Sequence, residues 1–222
     1  INTTSKTLDI TDKNNVMDFI KNENPDIVIN SAAYTNVDGC EENQDLAYAV
    51  NGEGVKNLAL ACKETGAALV HISTDYVFKG DSETPRVEDD ELGPISVYGK
   101  SKLKGEEAIL EILDKYFIIR TAWLYGRNGG NFPKTMLELA KEHDALTVVY
   151  DEVGTPTYTY DLAKAISELI KTDYYGIYHI TNSDSCSWFE FAKLIFEIAN
   201  VDVKVTPVTA KEFARPAPRP SY

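Results

Sequence analysis

Two short segments carry side chains that could move a proton and a hydride in concert. The first is Ser73-Thr74-Asp75-Tyr76-Val77-Phe78, and the second, some twenty residues on, is Tyr98-Gly99-Lys100-Ser101-Lys102. Tyr98 and Lys102 stand four residues apart, so a helix puts them on one face, one turn from each other. A free phenol titrates at roughly 10, too high for efficient proton transfer near neutrality, and an ammonium one turn away favours the phenolate. Thr74, at the end of a strand, could hydrogen-bond a reacting oxygen and place it against Tyr98. Such a Thr/Tyr/Lys set suits passing a proton to or from an oxygen while a hydride moves on or off the adjacent carbon. Lys102 could also donate to the ribose hydroxyls of a cofactor, and Asp75 could bind a substrate hydroxyl or cap a turn. Alone, a Tyr-x-x-x-Lys pair fits any solvated helix, and a threonine fits any strand end. The two segments together point to chemistry.

These groups need a scaffold, and the rest of the chain alternates between strand and helix signals. Residues 27–30, a short apolar run after Pro25, read as a buried strand. A helix is expected over about 44–65 and a strand over 68–73. The 79–95 stretch holds Gly80, Pro85, Gly93 and Pro94 among acidic residues and reads as a loop. The helix bearing Tyr98 and Lys102 should run to about 115. Strands then follow at 116–122, 146–150, 177–180 and 203–205, and a helix at 131–142. Leu162, Ala165, Ile166, Leu169 and Ile170 recur at helical spacing, and Ser187-Trp188-Phe189-Glu190 opens a further helix as a capping box. This alternation predicts an α/β fold with a parallel sheet covered on both faces.

Composition narrows the function. At 222 residues and 43% hydrophobic, the chain can bury a core as one domain, or as one domain with a small lobe. A formal charge of -13 disfavours nucleic acid and anionic membrane as partners. No apolar run is long enough to span a bilayer and no signal peptide is visible, so a cytoplasmic protein is expected. Cys40, Cys62 and Cys186 are odd in number and contain no C-x-x-C, which argues against a disulfide framework and a zinc site. Cys62 falls on an apolar helix face with Val55, Leu58 and Ala59 and reads as core. His71, His143 and His179 lie far apart and read as structural or exposed, with no metal ligand among them.

A nucleotide-binding sheet ordinarily opens with a strand, a glycine-rich turn and a helix that holds the pyrophosphate. No G-x-x-G-x-x-G occurs here. Leu8-Asp9-Ile10-Thr11-Asp12 resembles the end of a second βα unit, and about 30 residues, one such unit, are expected to precede Ile1 in the intact protein.

Several segments together resemble the extended short-chain dehydrogenase/reductase family, in its dTDP-4-dehydrorhamnose reductase branch. They are NSAAYTNVD (30–38), VHISTDYVF (70–78), VYGKSKLKGE (97–106), RTAWLYG (120–126), Asn131-Phe132 with Lys134-Thr135-Met136, and GTPTYTYDLA (154–163). They run in order over nearly the whole chain. The resemblance implies a modified Rossmann fold: a doubly wound parallel sheet over 1–150, truncated at its N-terminal side, and a small substrate-binding lobe over 151–222 with segments returning to the sheet. It implies NADPH or NADH as cofactor and reduction of the 4-keto group of dTDP-6-deoxy-4-keto-mannose to dTDP-L-rhamnose. By position, Tyr98 is the proton donor, Lys102 tunes it and Thr74 assists. Asp9, Ile10, Ala33, Tyr34 and Thr35, with Tyr98 and Lys102, line the cofactor. Thr74, Asp75, Trp123 and Arg219 meet the sugar nucleotide, Arg219 within an Arg-Pro segment that resembles the family's loop there. Some members bind magnesium at a dimer interface, which makes magnesium and a homodimer part of the resemblance, although no acidic positions match. Glu152 stands where many members carry Gln.

Two other roles fit the same fold. A 4,6-dehydratase would want an Asp-Glu pair after the Ser-Thr, whereas Tyr76 follows Asp75 here, which favours simple reduction over a dehydratase or epimerase. A related branch serves as the non-catalytic regulatory subunit of methionine adenosyltransferase and can keep Thr74, Tyr98 and Lys102.

Overall fold

Apolar runs at 27–30, 68–74, 116–121 and 176–179 become the four strands of a parallel sheet, in a computed structural model that describes residues 1–82 and 84–222. In chain order the elements begin with α1 (Lys13–Glu23), β1 (Ile27–Asn30), α2 (Val37–Glu42) and α3 (Gln44–Tyr48). A π-helical turn (Ala49–Glu53) leads into α4 (Gly54–Thr65). Next come β2 (Ala68–Thr74), a 3₁₀ turn (Asp75–Val77), α5 (Val97–Ile112), β3 (Tyr116–Thr121), β4 (Leu124–Tyr125) and α6 (Phe132–Glu142). The chain continues through β5 (Ala145–Val149), β6 (Val153–Gly154), β7 (Thr157–Tyr158), α7 (Thr159–Leu169) and β8 (Gly176–His179). It closes with β9 (Cys186–Ser187), α8 (Trp188–Ala199), β10 (Lys204–Val208) and α9 (Ala210–Phe213).

The sheet order is β1-β2-β3-β8, every pair parallel, with Leu69 opposite Tyr116 and Thr74 opposite Thr121. Alternation of side chains sends successive residues to opposite faces. Leu69 and Ile118 pack beneath α1, α4 and α5, through Val16, Ile20, Val55, Leu58 and Ile109. Val70, Phe117 and Ile119 pack on the other face against Leu162 and Ile166 of α7. Helices on both faces make the sheet doubly wound, as the alternation predicts. A second body forms where β5 pairs with β10 and Met136, Val148, Ala192 and Phe196 bury one another between α6 and α8. It draws α6 and β5 from before residue 150, while β8 returns from beyond it to the main sheet. No helix among the described residues is long and apolar enough to cross a membrane.

Three elements differ from the sequence reading. The α1 helix is capped by Asp12, whose carboxylate accepts from Asn14 and Asn15 N–H, and buries only Val16 and Ile20, too thin a stripe to announce itself. The short α2 falls between the expected 27–30 strand and 44–65 helix, where no element is predicted. The expected 44–65 helix is one rod broken by the π turn, which inserts an extra residue without altering composition. The 79–95 stretch is irregular as expected, with Glu83 outside the described residues. The capping box at Ser187 and Glu190 is present.

Candidate active site

Parallel strands deliver their last residues to one edge, and here those residues are polar and buried: Asn30 of β1, Thr74 of β2 and Thr121 of β3. Open α/β sheets bind ligands at that edge. β2 stops at Thr74 because the chain turns into the 3₁₀ segment. The Thr74 hydroxyl accepts from Tyr76 N–H at 3.2 Å and donates to Asp75 Oδ1 at 3.0 Å. The α5 helix then starts against this turn. Its first N–H groups are satisfied by Glu41 Oε1, which accepts from Val97 at 2.8 Å, and by Ser96 Oγ, which accepts from Gly99 at 3.1 Å. Gly99 lies so close to the Tyr76 carbonyl that any Cβ would collide with it. That contact brings Tyr98, half-buried, beside Thr74, with the Tyr76 ring edge-on at 5.3 Å.

Electrostatics at the pair differ from the expectation. Burial pushes the Tyr98 phenol up, opposed by a hydrogen bond with Thr74 and reinforced by Asp75. Lys102 turns inward, 1% exposed, donating to the Ile72 carbonyl at 2.6 Å with His71 Nε2 at 3.3 Å. Burial pushes its ammonium down to about 8, with Glu106 pulling the other way. The lysine is one turn from the tyrosine as the spacing requires, but its nitrogen is engaged by the strand. His71 is fully buried, the structural of the two alternatives the sequence leaves open. Asp75 is pushed up to about 6 by burial.

Asn51 was missed by sequence reasoning, and it joins the pieces. Sitting in the π turn and fully buried, it accepts from Tyr34 N–H at 2.8 Å, donates to the Tyr34 carbonyl at 3.1 Å and donates to Ser101 Oγ at 3.0 Å. Ser101 in turn donates to the Tyr98 carbonyl at 2.8 Å. One amide therefore locks the 31–36 loop to the helix of Tyr98 and Lys102. The available signal was a polar residue four before Val55, on the apolar face of a helix. Ala33, Tyr34 and Thr35 lie on that loop. Asp9 and Ile10 sit farther along the same helix edge: Ile10 packs against Gly54, its carbonyl accepts from Asn57 Nδ2 at 3.0 Å, and exposed Asp9 accepts from Thr11 N–H at 2.9 Å.

The remaining expected residues collect around the second body. Trp123 stacks flat on Trp188 at 3.3 Å between centroids, with Phe132 against Trp188. Trp123 has φ +46°, rare for a bulky side chain and costing about 1–3 kcal/mol, as found at ligand-binding positions. Arg219 is not a free cation. Its guanidinium grips Asp38 of α2 at 2.9 and 3.1 Å, and Ala217 N–H donates to the same carboxylate. A cavity of about 300 Å³ opens between β5 and the C-terminal segment, lined by Glu152, Lys211, Arg215 and Arg219. Burial pushes the Glu152 carboxyl up while both arginines pull it down. Tyr76, edge-on to Tyr98, feels the charges of both Arg219 and Glu152.

The residues at the sheet edge fit a dinucleotide: Thr121 Oγ1 is buried there without a partner, next to Thr74, and the 31–33 run is small enough for close backbone approach. Among the described residues no cluster of three or more His, Cys, Asp or Glu side chains could hold a metal ion, so magnesium finds no support.

Known proteins share this arrangement. The family model for the RmlD substrate binding domain matches residues 1–222. The spore coat polysaccharide biosynthesis protein SpsK of Bacillus subtilis (strain 168) is 47% identical over 219 residues, 99% of this chain and 77% of that protein. A dTDP-4-dehydrorhamnose reductase structure from Clostridium acetobutylicum ATCC 824 is 51% identical and superposes with a TM-score of 0.98 over 100% of this chain and 79% of its own. One from Bacillus anthracis str. Ames, in complex with NADP, is 49% identical with a TM-score of 0.98, covering 99% and 78%.

Proposed function

This chain belongs to the dTDP-4-dehydrorhamnose reductase family, and from that premise we propose that it reduces the 4-keto group of dTDP-6-deoxy-4-keto-mannose to dTDP-L-rhamnose, a precursor of cell-surface polysaccharide. The observation that carries this reading is the meeting of Thr74, Tyr98 and Lys102 at the carboxyl edge of a parallel sheet. NADPH or NADH, when bound, supplies the hydride to C4. Tyr98 gives its phenolic proton to the oxygen as the carbonyl π bond breaks; burial keeps the phenol protonated beforehand, and the charge near Lys102 and the bound cofactor must offset that upward push for the transfer to proceed. Thr74 holds that oxygen against Tyr98, and Lys102 stabilises the charge that develops. Ala33, Tyr34 and Thr35, clamped by Asn51, shape the cofactor's position, with Asp9 and Ile10 at its adenine end.

On the sugar side, Asp75 meets hydroxyl groups and Trp123, backed by Trp188, offers a flat apolar face. Arg219 provides charge for the diphosphate once it exchanges Asp38 for the ligand. A homodimer and a cytoplasmic location belong to the same reading. The test is a reductase assay on the intact protein with the dTDP-4-keto sugar and each cofactor, beside Tyr98→Phe. Turnover that collapses in the variant supports the proposal. Cofactor binding without turnover, together with co-purification of a methionine adenosyltransferase, points instead to the regulatory role.

A further inference from the structure

Two cations and one anion are buried together beneath the reacting centre. Lys102 is 1% exposed, Arg120 3% and Glu106 0%. Lys102 and Glu106 stand four residues apart on α5, so they share a face, one turn from each other. Both are anchored to consecutive residues of β2. Lys102 Nζ donates to the Ile72 carbonyl at 2.6 Å, and the Ser73 hydroxyl donates to Glu106 Oε1. From β3, Arg120 Nε donates to both Glu106 oxygens at 3.1 and 3.2 Å, and Nη2 donates to Oε2 at 2.7 Å. Each of these partners is a donor, an arrangement that suits an acceptor-only carboxylate.

Lys102 has little else to hold its charge. A cation taken out of water needs a compensating anion, or it gives up its proton. The partners of Nζ are a neutral carbonyl and, at 3.3 Å, His71 Nε2, whose ring is kept neutral by burial and by the charge of the lysine itself. Tyr98 lies one turn back on α5. Asp75 follows β2, accepts from Thr74 and acts on Tyr98, and β1 offers the uncharged Asn30. Glu41 of α2 accepts from Val97 at the start of α5, and Lys56, Lys63 and Glu64 of α4 are exposed. Against the pull of burial, the charge that acts on Lys102 is that of Glu106.

We propose that Glu106 is a positioning residue for Lys102: fixed by Arg120 and Ser73, its carboxylate holds the lysine as an ammonium at neutral pH, acting through space from one turn along the helix. The catalytic consequence rests on the reductase reading; the charge balance does not. Under that reading, the charge on Lys102 offsets the upward push on the Tyr98 phenol and stabilises the oxyanion as it develops.

The test uses the intact protein labelled with ¹³Cε-lysine, without added cofactor, the Lys102 signal being assigned by its loss in Lys102→Met. Glu106→Gln alone would leave Arg120 buried without its anion and destabilise the fold, so the charges are removed together in Glu106→Gln/Arg120→Met. In that double variant the Lys102 titration midpoint should fall from about 8 by about one unit, a tenfold loss of proton affinity. Ser73→Ala takes one hydrogen bond from Glu106 but keeps its charge, and its midpoint should stay with that of the parent. A midpoint that holds or rises in the double variant overturns the proposal. So does an equal fall in Ser73→Ala, which would trace the effect to packing instead of charge. In the reductase assay the alkaline limb of kcat/KM should move down with the midpoint, and a limb that stays in place overturns the link to catalysis. The titration needs no turnover, so an inactive parent would count against the reductase reading alone, and an unmoved midpoint against this proposal alone.

Discussion

The sheet edge and the second body hold their functional side chains by different means. At the edge, most polar groups are buried and bound to a partner whose place the backbone dictates, Thr121 Oγ1 being the exception. Lys102 hangs from the Ile72 carbonyl, Asn51 from both polar groups of Tyr34, and Glu106 from Arg120 and Ser73. Around the second body the groups meet across long stretches of chain and stay partly wet. Asp38 and Arg219 pair from 181 residues apart, with side chains 36% and 11% exposed. The first arrangement suits atoms that must be placed before the substrate arrives. The second suits groups that exchange one partner for another on binding, as the role proposed for Arg219 at the diphosphate requires. The contrast is between a preorganised reacting centre and a yielding recognition surface.

The contrast breaks first if the reacting centre proves tolerant. Tyr98→Phe should lower kcat by about 10²–10⁴, the usual range for a general acid, while leaving the fold intact. Steady-state kinetics check it, and unchanged turnover removes the phenol from its role. Arg120→Ala tests the buried side of the same region. It leaves the Glu106 carboxylate, 0% exposed, without its cation and should cost about 3–5 kcal/mol in urea unfolding. A loss under 1 kcal/mol would mean that the edge is not rigidly held.

How far the sequence announced each region follows from the same difference. The strands, the α5 helix and the Tyr98/Lys102 pairing were legible because they rest on local periodicity and a four-residue spacing. The two-faced packing was legible because Leu69 and Ile118 alternate with Val70 and Ile119 along continuous apolar runs. The inward turn of Lys102 was not legible. The spacing puts it on the face of Tyr98, but the buried Ile72 carbonyl and His71, about 30 residues earlier, decide where Nζ goes. Asn51 was hidden because a π turn leaves no compositional mark, although Gly52 and Gly54 beside it hinted at close packing. The Asp38–Arg219 pair and the Trp123–Trp188 stack join positions that no local pattern links. They become visible only once the strands have crossed.

Smaller effects sharpen the comparison. Asn51→Ala removes three hydrogen bonds inside the rigid region and should cost about 1–3 kcal/mol in denaturant unfolding. It should also raise the KM for the cofactor, because the 31–36 loop loses its clamp. In the yielding region, Asp38→Asn should change stability by under about 1 kcal/mol, with that change shrinking further in high salt. It should lower the KM for the nucleotide sugar, since Arg219 no longer has a competing carboxylate. A rise in that KM would show that the pair places Arg219 for the substrate and that this region is preorganised too.

Asp75 lies where the two regions touch, between Thr74 and Tyr76, and its titration gives the most direct test. Its carboxyl is pushed from 3.8 up to about 6 by burial, despite hydrogen bonds from Thr74 and from backbone N–H groups that pull it down. Between about pH 4 and pH 6 the folded chain keeps this proton while the unfolded chain releases it, so stability falls as pH rises through that window. Above about 6 both states are ionised and the folded state carries the charge at a constant cost. Asp75→Asn keeps an oxygen to accept from the Thr74 hydroxyl and removes the titration. Variant and parent should melt together near pH 4 and separate by up to about 6–12 °C at pH 7.5, the variant higher, since a shift of about two units corresponds to at most about 3 kcal/mol. An equal separation at both pH values would mean that the carboxylate is well solvated, and would assign Asp75 to the yielding surface instead of the buried edge.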